Sequence, residues 1–174
     1  EEVFEKRQPK IPAVISKTDG MITSIRTEGK EKIITVAPTL GSKYATKKND
    51  SIEYPVHFRR MVNVKEGEAV TQGQLLTDGS VHLPDLFKYA GELVTQEYII
   101  NETNKIYELQ GVTIARKHIE LIVKQMMSRM KITNAGDSHF TVGDVVEEWM
   151  LVKANNELKE AGNEPAKADR LILG

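Results

Sequence analysis

The sequence predicts an α+β protein, with an antiparallel β-rich lobe over residues 1–83 followed by a helical segment over residues 84–174. Short β-branched runs separated by Gly turns fill the first half, and apolar residues at helical spacing fill the second. The period changes at Pro84.

After Pro9 and Pro12, the runs Ala13-Val14-Ile15, Met21-Ile22, Ile33-Ile34-Thr35-Val36 and Met61-Val62-Asn63-Val64 read as strands. Turn signals separate them: Asp19-Gly20, Glu28-Gly29, Leu40-Gly41-Ser42, Asn49-Asp50, Glu66-Gly67, Gln72-Gly73 and Asp78-Gly79. With no helical pattern between these runs, βαβ units are excluded and a small antiparallel sandwich or barrel is predicted. Thr-Asp-Gly occurs at Thr18 and again at Thr77, in both cases at a strand end, where local turn chemistry accounts for it.

Pro84 to Tyr89 reads as a short helix with Pro in its first turn and Gly91 as its stop. A longer helix is predicted from Leu93 to Leu109, with Ile99, Thr103 and Ile106 on one face and Gly111 beyond its end. The third helix carries Ile119, Ile122, Val123, Met126, Met127 and Met130 as a core-facing stripe, which predicts that an Asp at Ile122 would be a buried, unpaired charge. Residues 131–145 read as a turn-rich connector anchored by Phe140. The last helix spans Val146 to Ala161, with Met150, Ala154 and Leu158 on one face; Gly162 stops it and Pro165 bars its return.

The 174 residues hold 24 Lys+Arg against 25 Asp+Glu, so no overall field steers the chain toward nucleic acid, and any such contact must come from a local patch. The charge is divided mildly, with 14 basic and 12 acidic residues in 1–90 and 10 against 13 in 91–174. The absence of Cys excludes thiol nucleophiles, Cys-ligated zinc and iron–sulfur sites. No run approaches the ~20 apolar residues of a membrane-spanning helix and the charged N-terminus does not read as a signal peptide, so a cytoplasmic protein is expected.

His57, His82, His118 and His139 are never spaced to place two imidazoles on one helix or strand face, so no metal site is predicted from them. The common phosphate cradles and the serine nucleophile elbow are missing. Glu147, Glu148, Asp137 and Asp144 read as solvated carboxylates, and Trp149 and the Met pairs as core residues. Three basic groups remain: Lys6, Arg7 and Lys10; Lys43, Lys47 and Lys48; and Arg59 with Arg60. A sharp phosphate contact needs such groups to converge on one surface.

Several motifs carry a resemblance. Phe4-Glu5-Lys6-Arg7-Gln8-Pro9-Lys10, Ala13 to Ser16 with Asp19-Gly20, and Val64 to Val70 with Gly73 and Thr77-Asp78-Gly79 mark the first half. Tyr98 to Glu102, Ile106 to Val112, Lys117 to Met126, Gly136-Asp137 with Phe140 and Gly143, and Ala154-Asn155 mark the second. In this order and spacing, across nearly the whole chain, they resemble the C-terminal part of the bacterial RNA polymerase beta-prime subunit. The family commonly has a second basic residue where Gln8 stands and Lys-Ile-Asn-Asp where Thr113 to Arg116 stands.

The resemblance implies an excised piece of that subunit, with a jaw-like lobe of sandwich-barrel hybrid type over 1–83 and a helical segment over 84–174 that ties it to the cleft. It implies a role accessory to DNA-templated RNA synthesis: holding downstream duplex DNA and scaffolding the cleft. Lys6, Arg7 and Lys10 are the implied phosphate contacts, and sequence-independent binding suits a polymerase that must slide over every sequence. No catalytic residue and no cofactor is expected in the chain, because the family's magnesium and zinc sites lie outside it. The implied partners are downstream duplex DNA, other polymerase subunits and transcription regulators, with no membrane.

Two other readings fit parts of the chain. Glu28, Glu31 and Glu53 could serve a docking surface for transcription regulators. Val64 to Leu76 is similar to the half-motif of biotinyl and lipoyl carrier domains, but the swinging lysine between small or apolar neighbours is missing, so the similarity is read as one of topology.

Overall fold

The computed structural model describes residues 3–39 and 51–174. The turns expected at Leu40-Gly41-Ser42 and Asn49-Asp50, and the lysines at 43, 47 and 48, lie outside the described residues. The protein is α+β and divides into two compact units, one of residues 7–95 and the other of residues 1–6 with 96–174.

In the first unit, β1 (Gly20–Glu28) and β2 (Glu31–Pro38) form an antiparallel hairpin, with Gly20 opposite Pro38 and Glu28 opposite Glu31. The register shifts between Ile22 and Ser24, a bulge at which the Thr23 hydroxyl donates to the Thr35 carbonyl (3.2 Å). β3 (Ile52–Val56) pairs with β2, and the two-residue β4 (Ala69–Val70) pairs with β1, giving the order β3-β2-β1-β4. Pro55 lacks a backbone N–H, which an edge strand such as β3 tolerates. Ile22, Ile34, Val36, Tyr54, Val56, Val64, Val70 and Leu76 form the core of this curled sheet.

Two expected strands are reduced to single bridges, Ile15 with Leu75 and Val62 with Thr77. The cause is side-chain competition for the backbone: the Val14 N–H donates to the Thr77 hydroxyl oxygen (2.9 Å) and the Met61 N–H to Asp78 Oδ1 (2.8 Å). The repeated Thr-Asp-Gly does more than the local turn chemistry expected of it, because in both copies the Asp fastens a distant segment of chain. Each Thr hydroxyl donates to the next residue's carbonyl, and each Asp Oδ1 accepts a backbone N–H, from Gln72 and from Met61. Helix α1 (Leu83–Ala90) closes this unit, with Pro84 in its first turn and Gly91 as its C-cap.

Helix α2 (Glu92–Leu109) contains the boundary between the units; it buries Ile99, Ile100 and Thr103, while Ile106, expected on the same face, is 41% exposed. In the second unit, α3 (Arg116–Met126) ends earlier than the stripe suggested, and Met130 lies in a strand. The face that α3 buries is Ile119, Val123 and Met126; Ile122 is 49% exposed, which corrects the expectation of a buried position.

The segment expected to be helical also holds a three-stranded antiparallel sheet: β5 (Arg129–Asn134), β6 (Val145–Glu147) and β7 (Lys167–Leu171), in the order β6-β5-β7. Helix α4 (Glu148–Glu160) follows β6 directly, and buries Leu151 and Ala154 where Met150 was expected. Ile132, Leu151 and Ala166 form the core there, with Phe140 packed against them as its expected anchor role requires. The Asn155 amide grips Ala166 at both backbone groups, accepting from its N–H at 2.8 Å and donating to its carbonyl at 2.9 Å. Arg116 joins Glu97 and Glu120 at 2.7 Å each, and the hydrogen bonds it donates, to Glu97 first and then to Glu120, hold its guanidinium above the ordinary arginine range.

Candidate nucleic-acid interface

The chain's basic groups are the starting point, because phosphate recognition needs cations that converge and are not already neutralised. Lys6 belongs to the second unit, where its ammonium donates to the Ile172 carbonyl at 2.9 Å. An ammonium has three donors, so two remain for other acceptors. Arg7 and Lys10 belong to the first unit and are exposed.

The structure ties the backbone beside Lys10 to the third basic group, far along the chain. The Arg60 guanidinium donates to the carbonyl of Ile11, the residue after Lys10. The same guanidinium lies flat against Gly79, where a Cβ would come within 2.3 Å of Cζ. Gly79 has φ +104, so its missing side chain both permits the backbone conformation and makes room for Arg60. The Ala13 N–H donates to the Ser80 carbonyl at 2.9 Å and fastens the same strip of chain from its other end.

Residues 57–61 form a tight turn above this clamp. The Arg60 N–H donates to the His57 carbonyl at 2.9 Å, and the Arg59 N–H to His57 Nδ1 at 3.2 Å. Met61 and Asp78 exchange two bonds, the Met61 N–H to Asp78 Oδ1 at 2.8 Å and the Asp78 N–H to the Met61 carbonyl at 3.0 Å. The turn therefore presents its side chains from a fixed backbone. Phe58 is 58% exposed and Met61 70%, and Arg59 sits over the Phe58 ring with Cζ 5.5 Å from the centroid. His57 packs against Phe58 at 4.4 Å between centroids.

Most of the other candidate groups have intramolecular partners. Glu147 accepts from the Trp149 indole N–H (2.5 Å) and pairs with Arg129 (3.1 Å), and Glu148 pairs with Arg170 (2.5 Å). Asp137 accepts the Glu164 N–H and Asp144 the Thr141 N–H, each at 2.8 Å. Of the acids considered for docking, Glu28 and Glu53 both pair with Arg26, at 3.0 and 2.6 Å, and Glu31 lies opposite Glu28 in the hairpin. Among the described residues no three His, Asp or Glu side chains are grouped to hold a metal ion, and no helix is long and apolar enough to cross a membrane. Trp149, read from the sequence as a core residue, is mostly exposed.

Arg59 and Arg60 are visible as a basic pair in the sequence, but nothing there signals the contact of Arg60 with the Ile11 carbonyl. Their separation carries no periodicity, and the geometric cause is a guanidinium reaching a backbone carbonyl across a glycine.

Known proteins bear on what such a surface belongs to. Residues 3–158 match the family described as RNA polymerase Rpb1, domain 5. The chain is similar to the DNA-directed RNA polymerase subunit beta' of Natranaerobius thermophilus, 39% identical over 174 residues covering 100% of this chain and 14% of that protein. Against the subunit beta' of Syntrophobacter fumaroxidans it is 40% identical, covering 99% of this chain and 12% of that protein. Against that of a Nitratiruptor species the values are 36%, 99% and 11%. The chain thus spans about one-eighth of the length of these relatives. A match that runs from Val3 through both units and into α4, with relatives aligned along the whole chain, places it plainly: the chain belongs to the RNA polymerase Rpb1, domain 5 family.

Proposed function

We propose that the chain is an accessory part of a bacterial DNA-directed RNA polymerase that holds downstream duplex DNA by its backbone and scaffolds the cleft around it. Lys6, Arg7 and Lys10 are the phosphate contacts in this reading. The observation that carries it is the position of Lys10, exposed, without a carboxylate partner among the described residues, and next to the Ile11 carbonyl that Arg60 grips. The relatives are named for DNA-directed synthesis, which supports a nucleic-acid partner for such a surface. Their other subunits, and transcription regulators, are the further partners in this reading.

The chemistry of nucleotide transfer, with its magnesium, is assigned to parts of the polymerase outside this chain, so the chain alone is inactive in synthesis. Binding by a few cations to phosphates is sequence-independent and falls steeply with salt. The test is a salt titration of binding to a 20-base-pair duplex, with a Lys6→Ala, Arg7→Ala, Lys10→Ala triple variant alongside. The reading expects an affinity that falls linearly in log salt and a triple variant whose slope is smaller by about 0.9 for each lost phosphate contact. Equal slopes for both proteins would overturn it.

A further inference from the structure

We infer that Arg59 is an additional DNA phosphate contact, and that Phe58 is a positioning residue that holds its guanidinium for that contact. The inference rests on the reading of this chain as a holder of duplex DNA. Three observations on the first unit support it. Arg59 is exposed, has no carboxylate partner among the described residues, and is held over the Phe58 ring 5.5 Å from its centroid. The turn that carries it is fixed by hydrogen bonds at both ends, from Arg60 to the His57 carbonyl and between Met61 and Asp78. Finally, the Arg60 bond to the Ile11 carbonyl ties the backbone of this turn to the strip of chain that carries Lys10.

The chemistry favours phosphate over an apolar partner. An arginine stacked on an aromatic ring keeps its N–H edge free, and that planar edge matches two phosphate oxygens. Stacking also removes rotamer freedom before binding, so less is lost when the contact forms. Asp78 is the acid nearest in the hydrogen-bond network, and its Oδ1 is occupied by the Met61 N–H. Duplex DNA is preferred to a single strand because the Arg59 guanidinium sits over the ring, 5.5 Å from its centroid, on the face that a base would use to stack.

The test compares Arg59→Ala, Phe58→Ala, Phe58→Tyr and the Lys6, Arg7, Lys10 triple alanine variant with the unmodified 174-residue chain. Each is titrated with salt against a 20-base-pair duplex and against a single strand of equal length, after circular dichroism confirms folding. Arg59→Ala is expected to weaken duplex binding severalfold and to lower the salt slope by about 0.9, the loss of one phosphate. Phe58→Ala is expected to weaken binding with the slope unchanged, and Phe58→Tyr to restore it. If the triple variant weakens binding while Arg59→Ala does not, the inference is overturned and the proposed function stands; a surface that docks a protein instead gives this result. If Arg59→Ala weakens binding while the triple variant does not, Arg59 stands and the assignment of Lys6, Arg7 and Lys10 falls. Tighter binding to the single strand that is lost in Phe58→Ala overturns the duplex assignment, and no binding by the unmodified chain at low salt overturns both.

Discussion

Two adjacent residues of α3 separate the structure from the bare periodicity of the sequence. Val123 is 1% exposed and Ile122 is 49% exposed, although both belong to the same apolar stripe. Replacing Val123 with Asp removes a fully desolvated side chain, worth about 0.8 kcal/mol per buried CH₂. It also places a carboxylate at a position only 1% exposed, and an uncompensated buried charge costs about 3–5 kcal/mol. The expected total is about 4–6 kcal/mol, a large share of the ~5–15 kcal/mol by which a domain is stable. Ile122→Asp leaves its carboxylate in water and should cost no more than about 1 kcal/mol. Val123→Ala calibrates the apolar part at about 1–3 kcal/mol. Trp149, the chain's single tryptophan, lies in the same unit as α3, so its fluorescence in a urea titration reports this unit. Equal losses from the two Asp variants, or a larger loss from Ile122→Asp, would refute the assignment of the buried face.

Further outcomes follow from single contacts. Asn155→Ala leaves the N–H and carbonyl of buried Ala166 unpaired and should cost about 2–4 kcal/mol; Asn155→Asp should not rescue it, since a carboxylate would face the Ala166 carbonyl. Both are read by the same urea titration. Gly73→Ala meets a φ of +83 and a Cβ only 2.2 Å from that of Ala90, so a loss of about 2–5 kcal/mol is expected by circular dichroism in urea. Gly29→Ala, at φ +63 but in open space, should cost only about 1–2 kcal/mol, the conformational part alone. Thr103 is 4% exposed and its hydroxyl has no partner among the described residues, so Thr103→Val should raise stability by about 1 kcal/mol, and a loss on thermal unfolding would contradict that.

Much of the fold was legible because its signals are local. Pro84 and Gly91 bracket α1, the Glu28-Gly29 turn joins β1 to β2, and Phe140 anchors its connector. What escaped was set by tertiary context. Pro55 hid β3, which forms because an edge strand does not need that N–H on its free side. The strands β5, β6 and β7 are short and pair across up to about forty residues, so no window of periodicity contains them. Met130 continued the helical stripe by chance of spacing, yet pairs in a strand with Val146 and Arg170. At the candidate interface, residue types named the basic groups, while the contact of Arg60 with the Ile11 carbonyl depends on a fold that spacing does not encode.

The most direct test of the central claim is site-specific cross-linking, which a chain without Cys allows cleanly. A single Cys in place of Lys10 or of Arg59, carrying a photoreactive group, is introduced into the chain and irradiated with duplex DNA in low salt. A Cys in place of Glu160, at the end of α4, is the control. The account predicts DNA adducts from positions 10 and 59 that disappear as salt rises, and few from position 160. Adducts of equal yield from all three positions, or none from 10 and 59, would contradict it.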